Sequence, residues 1–281
     1  MVTRVGLLPG QCPEESASGQ AAAIDYTVPA STRALDMLLN KVKGLPYQSE
    51  VAMPGREECR LPMLETDIRT ARIALVTDGG LVPKGNPDCM PPTNSNKFCI
   101  YSISGKKRLQ PGDYDISHQG YNNAYIQEDP NRLMPIDVLR EAEKDGVIGK
   151  LWELFYTTTG VMTSVENGTA MGKEIAASLK SSEVDAVILT STCGTSTRCG
   201  SLIAREIEKE NIPVVQVTNL TKIAEGIGIK RIMKGNNICH VFGKPELTPP
   251  EERQFRKDML NKVLKLLEIR PECGNSIVWS M

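Results

Sequence analysis

The sequence predicts an α/β fold: a mostly parallel sheet with helices on both faces, Rossmann-like and doubly wound. Three observations lead there. Residues 184–189 (VDAVIL) form an aliphatic run broken by one acid, the pattern of a strand buried on both faces. A helix-forming run at 201–209 and a second apolar strand at 213–217 (PVVQV) follow at the spacing a right-handed crossover needs. Residues 72–77 (RIALVT) give another buried strand that also ends in a loop of small residues.

Composition narrows the class. The 281 residues are 24% charged and 40% hydrophobic with a net charge of −1, enough chain for one large or two modest domains. No basic excess points to nucleic acid, and no apolar run approaches the roughly 18 residues of a membrane span. The opening MVTRVGLLPGQC lacks a sustained apolar segment and a small-residue cleavage site, so a cytoplasmic location is expected. Eight cysteines (12, 59, 89, 99, 193, 199, 239, 273) in that setting suggest reduced thiols rather than a disulfide frame.

Taken in order, residues 1–30 hold Gly, Pro, Ala and Ser without a period. Leu35, Leu38, Leu39 and Val42 fall at helical spacing over 32–43, and Gly44 and Pro46 stop that helix. Residues 45–70 read as an extended linker. After the strand at 72–77, the loop DGGLVPKGNPD (78–88) has glycines that let the backbone approach a ligand. Short strands are expected at 98–103 and 114–117, with His118 opening the polar turn HQGYNNAY. Pro135 begins a helix over 136–144 that Gly146 ends. A strand at 151–157, an amphipathic helix at 167–180, a short helix within 219–228, a last strand at 231–241 and a helix at 251–267 complete the list. The tail PECGNSIVWSM is expected to dock on a neighbour through Trp279. The chain thus divides into an irregular arm (1–31), a helix and linker (32–70), and two α/β halves of similar plan (71–160 and 161–281).

Cys193 is the organising residue. It sits where a strand ends and a helix is about to begin, so unpaired N–H groups and the helix dipole favour a thiolate there. Arg198 adds positive charge, Cys199 is a possible second thiol, and the many flanking hydroxyls suggest an open site rather than a packed core. A phosphatase loop needs five residues between cysteine and arginine, and here there are four. A structural zinc site needs two close ligand pairs, and Cys193 with Cys199 and Cys239 with His240 have the wrong spacings, so no metal is expected. A lone histidine is more often structural than catalytic, but His118 follows a strand and is crowded by Tyr121, Asn122 and Asn123.

Five blocks resemble a known family: LDMLLNKVKG (35–44), ARIALVTDGGLVPKGNPD (71–88), SHQGYNNAYIQEDPNRLMPIDVLREAEKDGVIGKL (117–151), FYTTTGVMTSVEN (155–167) and VDAVILTSTCGTSTRCGSLIAREIEKENIPVV (184–215). The chain resembles selenoprotein B of the glycine, sarcosine and betaine reductases and, more distantly, the selenoprotein subunit of D-proline reductase. The likeness runs over about 32–268 and falls on the carboxyl-terminal portion of the glycine-reductase type.

The resemblance implies reductive cleavage of a C–N bond by a selenocysteine nucleophile at the position of Cys193, with Cys199 matching a downstream cysteine. It implies no bound cofactor on this chain, a pyruvoyl group on a partner subunit, and an A-type selenoprotein or thioredoxin-like thiol donor. A small-molecule amine substrate and a homo- or hetero-oligomer are expected. Geometry and charge make His118 the candidate proton donor and Lys84 the candidate partner of a substrate carboxylate, with Asn122, Thr195 and Arg198 as further substrate-binding candidates. Three positions depart from the family: Ser196 replaces a frequent cysteine, and Gln119 and Asn122 replace the usual Gly and Asp. Cysteine at 193 is also less ionised than selenocysteine. Two other functions are compatible with the residues: a two-cysteine racemase or isomerase of small acids using Cys193 and Cys89, and a non-catalytic binding subunit.

Overall fold

The computed structural model describes residues 23–47, 50, 62–271 and 276–281. The chain divides into two compact units, 1–59 and 60–281. In the first, α1 (Ala30–Val42) begins two residues before the expected start, and the Arg33 guanidinium pairs with Glu50 at 2.6 Å. Most of the expected arm (1–22) and much of the linker (48–49 and 51–61) lie outside the described residues.

The second unit is the α/β domain. Its elements are β1 (Arg72–Thr77), β2 (Leu81–Pro83), β3 (Cys99–Ser102), β4 (Tyr114–Ile116), α2 (Ala124–Glu128), α3 (Ile136–Lys144), β5 (Lys150–Thr157), α4 (Val165–Ser181), β6 (Ala186–Thr190), α5 (Gly194–Lys209), β7 (Val214–Thr218), α6 (Thr221–Ile227), β8 (Arg231–Lys234), α7 (Pro249–Glu268) and β9 (Ile277–Trp279). Seven strands form one sheet in the order β3-β5-β1-β6-β7-β8-β9, and β2 pairs with β4 in a separate ribbon. Every pair in the large sheet is parallel except β3 with β5. Strands from both expected halves therefore share the large sheet, with β2 and β4 of the first half outside it.

Alternation along the strands builds two cores. Ile73, Leu75, Ile188 and Val215 face one side, where Leu139 of α3 and Met259 and Val263 of α7 cover them. Ala74, Val76, Val187 and Leu189 face the other, under Ile175 of α4 and Ile203 and Ile207 of α5. A strand covered on both faces has no polar side to show, which is why β1 and β6 read as continuous apolar runs. Charged groups fasten α7 as well: Arg132 pairs with Glu252 at 2.9 Å and Arg256 with Asp137 at 2.8 Å, all buried.

Two expectations are corrected. Helix α5 begins at Gly194 rather than near 201, because the side chains of the hydroxyl-rich TSTRCG stretch find partners on neighbouring elements: Ser196 with His118, Thr197 with Thr218 of β7, and Arg198 with the Thr163 carbonyl. The tail strand β9 pairs with β8 of its own sheet, and Trp279 packs against the first core rather than on a neighbour.

The topology locates a crevice. From β1 the chain goes to β5 on one side and then crosses to β6 on the other. Ligands in open α/β sheets bind beyond the carboxyl ends of strands at such a reversal. There Asp78 directly follows β1, and Cys193 lies three residues beyond the end of β6.

Candidate functional site

The turn between β6 and α5 is held at each residue. Asp78 N–H donates to the Thr190 carbonyl at 3.2 Å, and Ser191 N–H to the Val217 carbonyl at 2.9 Å. Thr192 N–H donates to Asp78 Oδ1 at 3.0 Å. Cys193 then caps α5 in extended conformation (φ −72°, ψ −178°), with no side-chain hydrogen bond to the helix backbone. Its half-buried Sγ lies 3.2 Å from Ser196 Oγ and 3.9 Å from Thr195 Oγ1. The first N–H groups of the helix have no intrahelical acceptor and carry the positive end of its dipole to the same spot.

The second half of the site comes from the loop after β4. Gly80 (φ +71°) allows that loop to pass, since a Cβ there would lie 2.2 Å from the Ser117 carbonyl oxygen. His118 follows, buried, with Nε2 2.7 Å from Ser196 Oγ and 3.4 Å from Thr192 Oγ1. Gly120 N–H donates to His118 Nδ1 at 2.9 Å, which assigns the imidazole proton to Nε2. The Tyr121 ring packs on the imidazole at 4.7 Å between centroids, and its hydroxyl donates to the Gly79 carbonyl. Burial holds His118 down at about 4, so the ring is neutral at pH 7. Nε2–H then donates to Ser196, whose own hydroxyl hydrogen is left for Cys193 Sγ. Gly120 itself lies against the thiol, because a Cβ there would meet Sγ at 2.9 Å and His118 Cε1 at 2.7 Å.

The candidate residues divide. Cys193, His118 and Thr195 are together, with Thr195 Oγ1 also accepting the Met162 N–H at 3.1 Å. Arg198 donates to the Thr163 carbonyl at 2.7 Å, tying α5 to the loop before α4. Cys199 is corrected as a second working thiol: it is fully buried in the second core, and burial pushes the thiol up and away from ionisation. Lys84 is corrected as well. It pairs with Asp115 at 2.7 Å at the end of the β2–β4 ribbon away from His118, with 67% of its side chain exposed. Asn122 is exposed and only caps its own turn at Ala124 N–H, while Asn123 donates to the His118 carbonyl. Cys89 sits in an exposed turn bonded to the Asn86 carbonyl, and no hydrogen bond joins it to Cys193. Among the described residues no group of His, Cys, Asp or Glu could hold a metal ion, and no helix is long and apolar enough to cross a membrane.

The family model for glycine/sarcosine/betaine reductase selenoprotein B (GRDB) matches residues 11–192. The chain belongs to that family. Its relatives include the glycine reductase complex component B subunit gamma of Carboxydothermus hydrogenoformans, 44% identical over 85% of this chain and 55% of the relative. The sarcosine reductase complex component B subunit beta of Peptoclostridium acidaminophilum is 38% identical over 85% and 55%. The D-proline reductase subunit gamma of Acetoanaerobium sticklandii is 31% identical over 69% of this chain and 77% of the relative. The chain thus spans about half the length of the glycine and sarcosine reductase relatives, at 55%. No solved structure matches it.

As a selenoprotein B family member, this chain has its departures at informative places. Ser196 bridges His118 and Cys193 at 2.7 and 3.2 Å. The side chain at 122 does not orient His118; a backbone amide does. Sequence reasoning missed Ser196 as a bridge, Gly120 as a contact and Asp78 as the peg of the nucleophile turn. The signal for Asp78 was available, since it follows β1 as directly as the Cys193 turn follows β6. The hydroxyl argument needs correcting too: Thr190, Ser191, Thr192, Ser196 and Thr197 are each no more than 1% exposed. Only Cys193, Gly194 and Thr195 of that stretch face the opening.

Proposed function

We propose that this chain is the thiol-bearing part of a reductase component that cleaves a carbon–nitrogen bond of a glycine-, sarcosine- or betaine-like substrate. The observation that carries the reading is Cys193 at the start of α5, its Sγ 3.2 Å from the Ser196 hydroxyl. The names of the relatives supply the reaction class, since they are components of glycine, sarcosine and betaine reductase complexes.

In this reading the Cys193 thiolate attacks the carbon that carries nitrogen. A C–S bond forms, the C–N bond breaks, and the amine leaves with the electron pair and takes up a proton. Anion stabilisation before attack comes from the amides at the start of α5 and from the Ser196 hydroxyl. Neutral His118 fixes the direction of that hydroxyl and does not act as a cationic partner of the thiolate. The thioether left on Sγ needs an external thiol or selenol to release the fragment, because Cys199 is sealed in the core. An A-type selenoprotein or a thioredoxin-like protein fits that role, and a partner subunit with a pyruvoyl group fits the role of holding a primary or secondary amine. Selenocysteine at position 193 would run the same step faster, being more fully ionised at pH 7.

The test is mass spectrometry of the whole chain after incubation with its partner subunits and each candidate amine. A substrate-derived adduct on Cys193, absent in Cys193→Ser, is expected. Turnover by Cys193→Ser at the wild-type rate would overturn the reading.

A further inference from the structure

The loop between β5 and α4 passes beside Cys193 in a tight turn over residues 160–163, closed by the Thr163 N–H donating to the Gly160 carbonyl at 3.2 Å. Met162 has φ +59°, at the turn position that glycine or asparagine ordinarily takes. A left-handed backbone is costly for a bulky residue and persists only where the surroundings impose it. Here they do so at each residue. Gly160 N–H donates to the Asp78 carbonyl at 2.9 Å, and a Cβ on Gly160 would come within 2.7 Å of Ser196 Cα, so the turn rests on the start of α5. The Val161 carbonyl accepts the Asn94 N–H at 2.8 Å. Met162 N–H donates to Thr195 Oγ1 at 3.1 Å, and that hydroxyl lies 3.9 Å from Sγ. Arg198 donates to the Thr163 carbonyl at 2.7 Å.

The strained backbone does not serve the Met162 side chain, which is 63% exposed. The neighbour it fixes is Val161. A methyl carbon on Gly120 would stand 2.9 Å from Cys193 Sγ and 3.0 Å from Val161 Cγ2, so one methyl group spans the gap between the sulfur and the Val161 side chain. His118 Cε1 bounds the same point at 2.7 Å. A branched side chain held by a rigid turn this close to a nucleophile limits the bulk of any carbon that reaches Sγ. Val161 is half-buried and its side chain has no polar atom, so what it contributes there is shape.

We propose that Val161 is a specificity-determining residue, which confines attack by Sγ to an unsubstituted carbon, the methylene of a glycine-like amine, and rejects a carbon that bears a side chain or belongs to a ring. The inference rests on the reading of Cys193 as nucleophile. Displacement at carbon puts the sulfur, the carbon and the leaving group in line, so the other groups on that carbon fan out sideways toward the wall. One extra carbon against such a wall is worth about 10–200-fold in rate.

The experiment compares two reagents on the full chain, iodoacetamide and α-iodopropionamide, which differ by one methyl group on the carbon that carries iodine. With each a C–S bond forms and iodide leaves, and neither needs a partner subunit. Rates at Cys193 and at exposed Cys89 are read by mass spectrometry, and the ratio at Cys89 gives the intrinsic effect of the methyl group. In wild type the preference of Cys193 for iodoacetamide should exceed that of Cys89 by about tenfold or more. Val161→Ala should lower the Cys193 preference by about tenfold, through faster reaction with α-iodopropionamide and little change with iodoacetamide. Equal preferences at the two cysteines in wild type, or an unmoved Cys193 preference in Val161→Ala, overturn the inference. A rise in both rates alike would report general loosening of the site and overturns it as well. The nucleophile reading is judged separately: if Cys193 reacts with iodoacetamide no faster than Cys89, that reading falls, while the preference between reagents still decides whether Val161 walls the thiol.

Discussion

Alanine at position 120 adds one methyl group at the point where the loop after β4 rests on the thiol. That methyl carbon would stand 2.7 Å from His118 Cε1, 2.9 Å from Cys193 Sγ and 3.0 Å from Val161 Cγ2. Comfortable separations between such atoms are about 3.5–4.0 Å, so each contact is short by roughly 0.5–1 Å. Two of these neighbours are held in place. His118 is tied at both ring nitrogens, and Cys193 is fixed by a turn that Asp78 pins. The backbone at 120 is not left-handed, so the strain comes from contact and not from φ. Overpacking of this kind costs about 1–3 kcal/mol of stability. Gly120→Ala should therefore fold, melt a few degrees lower, and slow alkylation of Cys193 at fixed pH by crowding its sulfur. Alkylation of exposed Cys89 in the same sample is the internal control. An unchanged Cys193 rate with an unchanged melting temperature would refute the claim that Gly120 lies on the thiol.

Ser196→Ala removes the hydroxyl that points at Sγ, and loss of a hydrogen bond to a charged acceptor is worth about 1.5–3 kcal/mol. Alkylation of Cys193 should slow by about tenfold or more with Cys89 unaffected, and equal slowing at both cysteines would exclude a local role. His118 gives a stability prediction. Folding lowers it from 6.5 to about 4, so between those values the unfolded chain binds more protons than the folded one. Its contribution is complete above about 6.5 and is lost as pH falls toward 4. Wild type should lose on the order of 2–3 kcal/mol over that window in urea unfolding, and His118→Gln should lose less. Parallel pH dependence in the two proteins would count against a buried neutral imidazole.

What was legible and what was not have physical reasons. The fold could be read because β1, β6 and β7 are buried on both faces, and that leaves an uninterrupted aliphatic signature. Cys193 was legible as a nucleophile candidate because it joins such a strand to a helix. The start of that helix was not, since Thr195, Ser196 and Thr197 are poor helix formers in isolation. Tertiary bonding overrides the propensity: Gln216 of β7 donates to Ser191 Oγ at 2.8 Å and to the Thr197 carbonyl at 3.1 Å, and Thr197 Oγ1 meets Thr218 Oγ1 at 2.8 Å. The same network explains why hydroxyls taken as marks of exposure are buried. Lys84 misled for the opposite reason, because its partner Asp115 is 31 residues away and only the ribbon pairing brings them together.

The site also differs from the arrangement in which a cysteine is activated by a protonated histidine. Such a pair needs an imidazolium beside the sulfur. Here the buried imidazole stays neutral at pH 7, and Ser196 stands between it and Sγ. Negative charge on sulfur must then be met by dipoles, namely the free amides of the first turn of α5 and one hydroxyl. Dipoles fixed by a folded backbone need no reorganisation during attack, but they offset an anion less than a full positive charge does.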